Sequence, residues 1–218
     1  MRKPLRSWAT GWMAAVALLA TSTESPAAER LVVRTYNNFG VSAVEMTTAR
    51  AVASLILKDA GLQVTWRDCS VGCSDAVGPG ELLVRIVAAP EAPGAPVAVV
   101  AESLGFAIVD LQEASGTLAT VYADRLNAVA ARNCVNAGTL LGRAIAHEIG
   151  HLLLGTARHS AAGLMRALWS DHELQRDVAA DWTFSQEEAA RMGRRLVTRR
   201  CDGCSVIAQR IAVSTLEK

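Results

Sequence analysis

The chain has 218 residues, 51% of them hydrophobic, which suits one domain with a sizeable core behind a short leader. Lysine and arginine total 22 against 21 acidic residues, a balance without the basic excess that a nucleic-acid footprint needs. Only 5% of residues are aromatic, so the core is expected to be aliphatic.

Residues 1–28 read as an export signal. Arg2, Lys3 and Arg6 give a basic start, residues 8–20 an apolar run too short to span a membrane, and Ser25, Pro26, Ala27 and Ala28 a small-residue cleavage site. Residues 29–218 are then the mature protein, periplasmic or secreted, with no membrane insertion once the leader is gone. Export places the five cysteines in an oxidising compartment. Cys69 with Cys73 and Cys201 with Cys204 are the natural disulfide pairs, and Cys134 is left over.

Residues 31–36 are a β-prone run, so close to the cleavage site that no pro-segment fits between them. Ser42 and Glu45 have capping-box spacing and open a helix to about Ala60, with Val44, Ala51, Val52 and Leu55 as its apolar stripe and Gly61 as its stop. Residues 62–68 alternate as a half-buried strand does. Strands are expected over 81–88, 105–110 and 117–122, with a turn at Ser115 and Gly116 before the last. The proline-rich stretch 89–96 is a loop, and 97–101 a short strand or part of that loop. A short helix follows over 124–131, then a long one over 139–154. Ser185 and Glu188 form a second capping box, opening a helix to about Thr198. The order implies one mixed α/β domain: a twisted mixed sheet with a backing helix, and a helical C-terminal part.

The 139–154 helix contains HEIGH. Residues four apart on a helix share a side, so His147 and His151 can point at one ion. Glu148 lies about 100° further round, beside that ion rather than on it. There its carboxylate can hold and deprotonate a water that zinc has acidified towards pKa about 7. All four histidines lie between 147 and 172, and the helix around the motif is apolar on nearly every side. Two imidazoles and a carboxylate are expensive to bury without a metal, a partner or a wet cleft. A catalytic zinc takes three protein ligands and keeps one position open. Gly155 can end the helix in a left-handed turn, and His159 follows it. His172 and Glu173, in SDHELQ, are the other candidates for third ligand; Glu187 and Glu188 are accounted for by capping.

Together His147, Glu148, His151, Gly155 and His159, with Met165 six residues on, resemble the signature of the metzincin zinc endopeptidases. The match is to HExxHxxxGxxxH rather than HExxHxxGxxH, with one extra residue on each side of the glycine. Gly105, Phe106 and Ala107 before a strand are similar to archaemetzincins, although the cysteine-rich second zinc site of that group is not matched. The resemblance implies a zincin-like fold, one zinc on three histidines, a glutamate base, a methionine beneath the metal and an edge strand, 105–110, that pairs with an extended peptide. The expected activity is hydrolysis of peptide or protein substrates. The rivals are a zinc-binding module that only holds peptides and a small-molecule hydrolase or deacylase built on the same chemistry.

Overall fold

The computed structural model describes residues 29–90 and 103–216, with side chains as far as Cys201. The expected leader, the possible strand at 97–101 and most of the 89–96 loop lie outside the described residues. So does the Cys204 side chain, and with it the expected Cys201–Cys204 pairing.

Five strands form one sheet: β1 (Glu29–Asn37), β2 (Leu62–Asp68), β3 (Glu81–Val87), β4 (Gly105–Asp110) and β5 (Ser115–Tyr122), in the order β2-β1-β3-β5-β4. β1 runs parallel to β2 and β3, β3 runs parallel to β5, and β4 alone is antiparallel, at the edge. The mixed sheet is as expected. The β4–β5 turn falls earlier than expected, over residues 111–114, so Ser115 and Gly116 already belong to β5. Ala114 takes the left-handed conformation there, with φ 46°.

Two helices cover one face. α1 (Ala43–Asp59) starts at the expected capping box: Ser42 caps the Glu45 amide while the Glu45 carboxylate accepts from the Ser42 amide. The structure corrects its apolar stripe. Val44 and Leu55 are exposed, and the buried side is Met46, Ala49, Ala53, Ile56 and Leu57. The small residues win that face because another helix crosses it at backbone distance: a Cβ on Gly142 would stand 2.5 Å from the Ala49 carbonyl oxygen, and one on Gly138 2.9 Å from that of Glu45.

That second helix is α3 (Ala137–Leu154), reached through α2 (Ala123–Asn133). Asn136 caps it by accepting from the Thr139 amide at 2.9 Å. From Leu140 to Leu154 it is buried throughout, as its apolar sequence requires. The core it shares with the sheet is aliphatic: Leu31, Val33, Leu82, Val84, Ile86, Ala119 and Val121 are all fully buried.

After α3 the chain is irregular except for a short helix, α4 (Asp171–Arg176), and a 3-10 turn at Ala179–Trp182. It ends in α5 (Gln186–Leu216), which runs well past the expected stop near Thr198. No Gly or Pro stop signal stands at Thr198, and Met192 and Leu196 anchor this helix in the core. Cys69 and Cys73 are disulfide-bonded, as expected, and Cys134 is exposed, with no disulfide partner among the described residues. Among the described residues no helix is long and apolar enough to cross a membrane.

Candidate metal centre

α3 presents His147 and His151 one turn apart, and Gly155 ends the helix in the left-handed conformation at φ 60°. A side chain at Gly155 would place its Cβ 1.8 Å from the Ala114 oxygen, so the turn needs glycine for space as well as for φ. The chain then doubles back and brings His159 over the helix. The Nε2 atoms of His147 and His151 are 3.1 Å apart, and those of His151 and His159 3.3 Å apart. The three imidazoles form a cluster able to hold a metal ion.

Three residues after His151 complete α3, Gly155 turns the chain, and three more lead to His159. His172 is exposed and outside the cluster. Glu173 closes the capping box of α4 with Ser170, pairs with Arg166 at 3.2 Å and also lies outside the cluster.

The backbone sets the protonation of the two helical histidines. Each lies with its Nδ1 2.8 Å from a carbonyl oxygen, Leu164 for His147 and Thr156 for His151. A carbonyl only accepts, so each Nδ1 carries the hydrogen and each neutral Nε2 presents a lone pair. Two such nitrogens facing one another at 3.1 Å repel unless a cation lies between them. Zinc ligand nitrogens at about 2.0–2.1 Å in a tetrahedral site are about 3.3 Å apart, so the spacing of the donors fits that ion. Burial holds both rings neutral: it lowers the His147 pKa to about 4, against the pull of the Leu164 carbonyl, and lowers that of His151 as well.

Glu148 is buried beside them. Among the described residues its Oε2 has no hydrogen-bond partner, and desolvation raises the carboxyl pKa to about 8. Gly105 of β4 makes the room: a Cβ there would lie 3.0 Å from Glu148 Oε1 and 2.6 Å from the Thr120 oxygen. Met165 is fully buried beneath the same helix, its sulfur so close that a Cβ on Gly150 would approach it to 2.6 Å. The histidines and Glu148 open on a cavity of about 550 Å³, walled by Gly105, Phe106, Leu168, Trp169 and Leu174 among others.

Sequence reasoning missed part of this site. Glu188 does cap α5, with Oε2 accepting from the Ser185 amide at 2.8 Å. Its other oxygen accepts from the Ser160 hydroxyl, next to His159. Ser160, five positions ahead of Met165, carried no pattern that could have shown this. Trp169 was also missed; it sits edge-on to His147 with ring centres 5.7 Å apart and donates to the Leu164 oxygen at 3.3 Å.

No protein-family model matches this chain, and no curated protein matches it either. Among solved structures it is similar to a zinc-dependent peptidase from Methanocorpusculum labreanum (strain Z), at 14% identity and a TM-score of 0.49. That likeness covers 73% of this chain and 99% of the other. At this identity and score it carries no weight for activity, which has to be read from the side chains of the site.

Proposed function

We propose that this protein is an exported zinc-dependent peptidase, with His147, His151 and His159 as the ligands of one zinc ion and Glu148 as the general base. The observation that supports it is the pairing of features in one cavity: imidazole lone pairs converging at 3.1 and 3.3 Å, and a buried carboxylate oxygen with no partner beside them. Three imidazoles with an open side suit a catalytic zinc. A zinc ion bound there would supply Lewis acidity towards a carbonyl oxygen and would acidify a water.

The rest of the chemistry belongs to the chain itself. Glu148 Oε2, free of other bonds, takes the proton of the attacking water and passes it to the leaving amine nitrogen. Its apolar surroundings raise its proton affinity into the range where a carboxylate exchanges protons at neutral pH. The Leu164 and Thr156 carbonyls hold the two helical histidines in the tautomer that leaves Nε2 free for metal. β4 is an edge strand whose first residues line the cavity, so an extended peptide can add to it antiparallel and lay a peptide bond beside Glu148. Residues 1–28 act as the export signal in this reading, and the 29–218 domain is the enzyme.

The test is digestion of a peptide library by the zinc-loaded protein beside Glu148→Gln. Cleavage by the parent and none by the variant is the expected result. If the two digest alike, or neither digests any peptide, the reading fails.

A further inference from the structure

A second groove, of about 510 Å³, lies at the other end of β4 from the histidines. It is bounded by the β4–β5 turn at Glu113, Ala114 and Ser115, by Leu152 and Leu153 near the end of α3, and by one side of α5. That side of α5 carries Arg191, Arg194, Arg195 and Arg199. At helical spacing, residues 191, 195 and 199 form one row with neighbours about 5–6 Å apart, and Arg194 lies beside it.

Structural duties account for two of the four. Arg195 donates to the Ala114 oxygen, and Arg199 to the Gly116 oxygen at 2.6 Å, which fastens α5 to the turn and to the start of β5. The side chains of Arg191 and Arg194 have no hydrogen bond, ion pair or ring contact among the described residues. None of the four is ion-paired among the described residues, whereas Arg34, Arg50, Arg67, Arg132, Arg143, Arg166, Arg176 and Arg200 all are. Glu113 is the one carboxylate among the residues lining the groove. Arg199 is partly desolvated with no anion beside it, and its pKa is lowered for that reason. So the groove combines excess positive charge with free guanidinium donors and an apolar floor.

Its position gives it a use. β4 has its first residues in the wall of the histidine cavity and leads, through its turn, to the arginines. Its six residues span about 20 Å at about 3.4 Å per residue. A peptide added antiparallel to β4 runs from the turn towards Gly105, so its residues ahead of the scissile bond lie along β4. The stretch roughly six to eight residues upstream of that bond then reaches the arginines.

We propose that this groove docks an acidic stretch of the peptide substrate, about six to eight residues N-terminal to the bond that is cut. The proposal rests on the peptidase reading and narrows it to substrates with an acidic segment upstream. Carboxylates suit the arginine forks, and several charges in line suit a row of guanidinium groups. Each exposed pair contributes little, so the selection comes from Arg191 and Arg194 acting together in the field of Arg195 and Arg199, and it weakens with salt.

The experiment uses peptides that share one cleavable core and differ only upstream: four acidic residues, four Asn/Gln residues, or four lysines. The zinc-loaded protein should cleave the acidic peptide with a kcat/KM roughly 10-fold above the neutral one at low salt, mainly through KM. The ratio should fall to near one in Arg191→Ala/Arg194→Ala. In Arg191→Glu/Arg194→Glu the preference should pass to the lysine peptide. Circular dichroism checks that these exposed positions leave the fold intact. A ratio of one in the parent, or a ratio unchanged in both variants, overturns the proposal. Fluorescence anisotropy of the labelled acidic peptide on Glu148→Gln separates the two readings. Acidic-selective binding that the arginine variants lose supports the groove even where no peptide is cleaved, which would count against the peptidase alone. If inorganic phosphate or phosphatidylglycerol vesicles bind at these arginines and the acidic peptide does not, the peptide assignment is wrong.

Discussion

The Ser160 hydroxyl donates to Glu188, so the residue next to His159 is tied to the first turn of α5. The Ser160 amide also donates to the Met165 oxygen at 2.8 Å, which closes the 160–165 segment directly after His159. Glu188→Ala should therefore weaken zinc binding by roughly 10- to 100-fold, the usual effect of losing a group that orients a ligand. Glu188→Gln keeps an acceptor for Ser160 and should recover most of the affinity. Competition with a zinc chelator measures both; equal affinity in Glu188→Ala and the parent would show that the loop holds itself.

His159→Ala leaves two imidazoles, and zinc affinity and turnover should collapse together. His172→Ala and Glu173→Ala should keep the metal, because the first is exposed and the second is engaged with Ser170 and Arg166. Metal analysis after dialysis, with folding checked by circular dichroism, makes the comparison. Loss of zinc in Glu173→Ala and its retention in His159→Ala would reverse the ligand assignment.

In Glu148→Gln the zinc should stay and the rate fall by a factor on the order of 10²–10⁴, since an amide cannot take the proton. Single-turnover cleavage beside a zinc assay tests both halves. A variant that keeps the parent rate would remove Glu148 from the mechanism.

Gly105→Ala should cost about 1–3 kcal/mol and most of the activity. The new methyl would meet the Thr120 backbone oxygen, which cannot yield, and would press on Glu148. Urea unfolding gives the first number. An alanine variant as stable and as active as the parent would show that β4 can move away from the helix.

Asp68 gives a pH dependence remote from the site. The Ser70 hydroxyl and amide, with Arg50, hold its carboxyl down to about 2, against a usual 3.8. A folded-state pKa below the unfolded one adds stability that is complete above the unfolded value and disappears as pH falls through the folded one. That contribution should fade between about pH 4 and 2, and Asp68→Asn should flatten this part of the profile. With its side chain 56% exposed the effect is small. Urea midpoints from pH 5 to 2 measure it; profiles of identical slope would contradict the assignment.

The elements were legible wherever a local signal stood in the sequence. Capping boxes at Ser42 and Ser185 marked two helix starts, Gly155 a stop, and alternation the strand at 62–68. What failed depended on contacts from far along the chain. Val44 and Leu55 look like the core side of α1, but Gly138 and Gly142, some 90 residues later, select the side with Ala49 and Ala53 instead. At the site, His147, Glu148 and His151 could be grouped from the sequence because a helix fixes their relative directions. The Leu164 and Thr156 carbonyls could not, since every residue carries one and only the fold chooses which faces an imidazole.

The close seating of Gly142 on Ala49 also separates the site into two parts by how often each opens. α1 and α3 meet nearly backbone to backbone inside the core, so amides around His147 and His151 should exchange with deuterium only through global unfolding. The 156–163 loop is held instead by a few surface contacts, the Ser160 bonds to Glu188 and Met165 and the seat of Gly163 on the Thr183 carbonyl, so breaking those few is enough to free it with His159. Ligand exchange at this centre would then begin and end at His159, on a timescale set by a loop rather than by the fold.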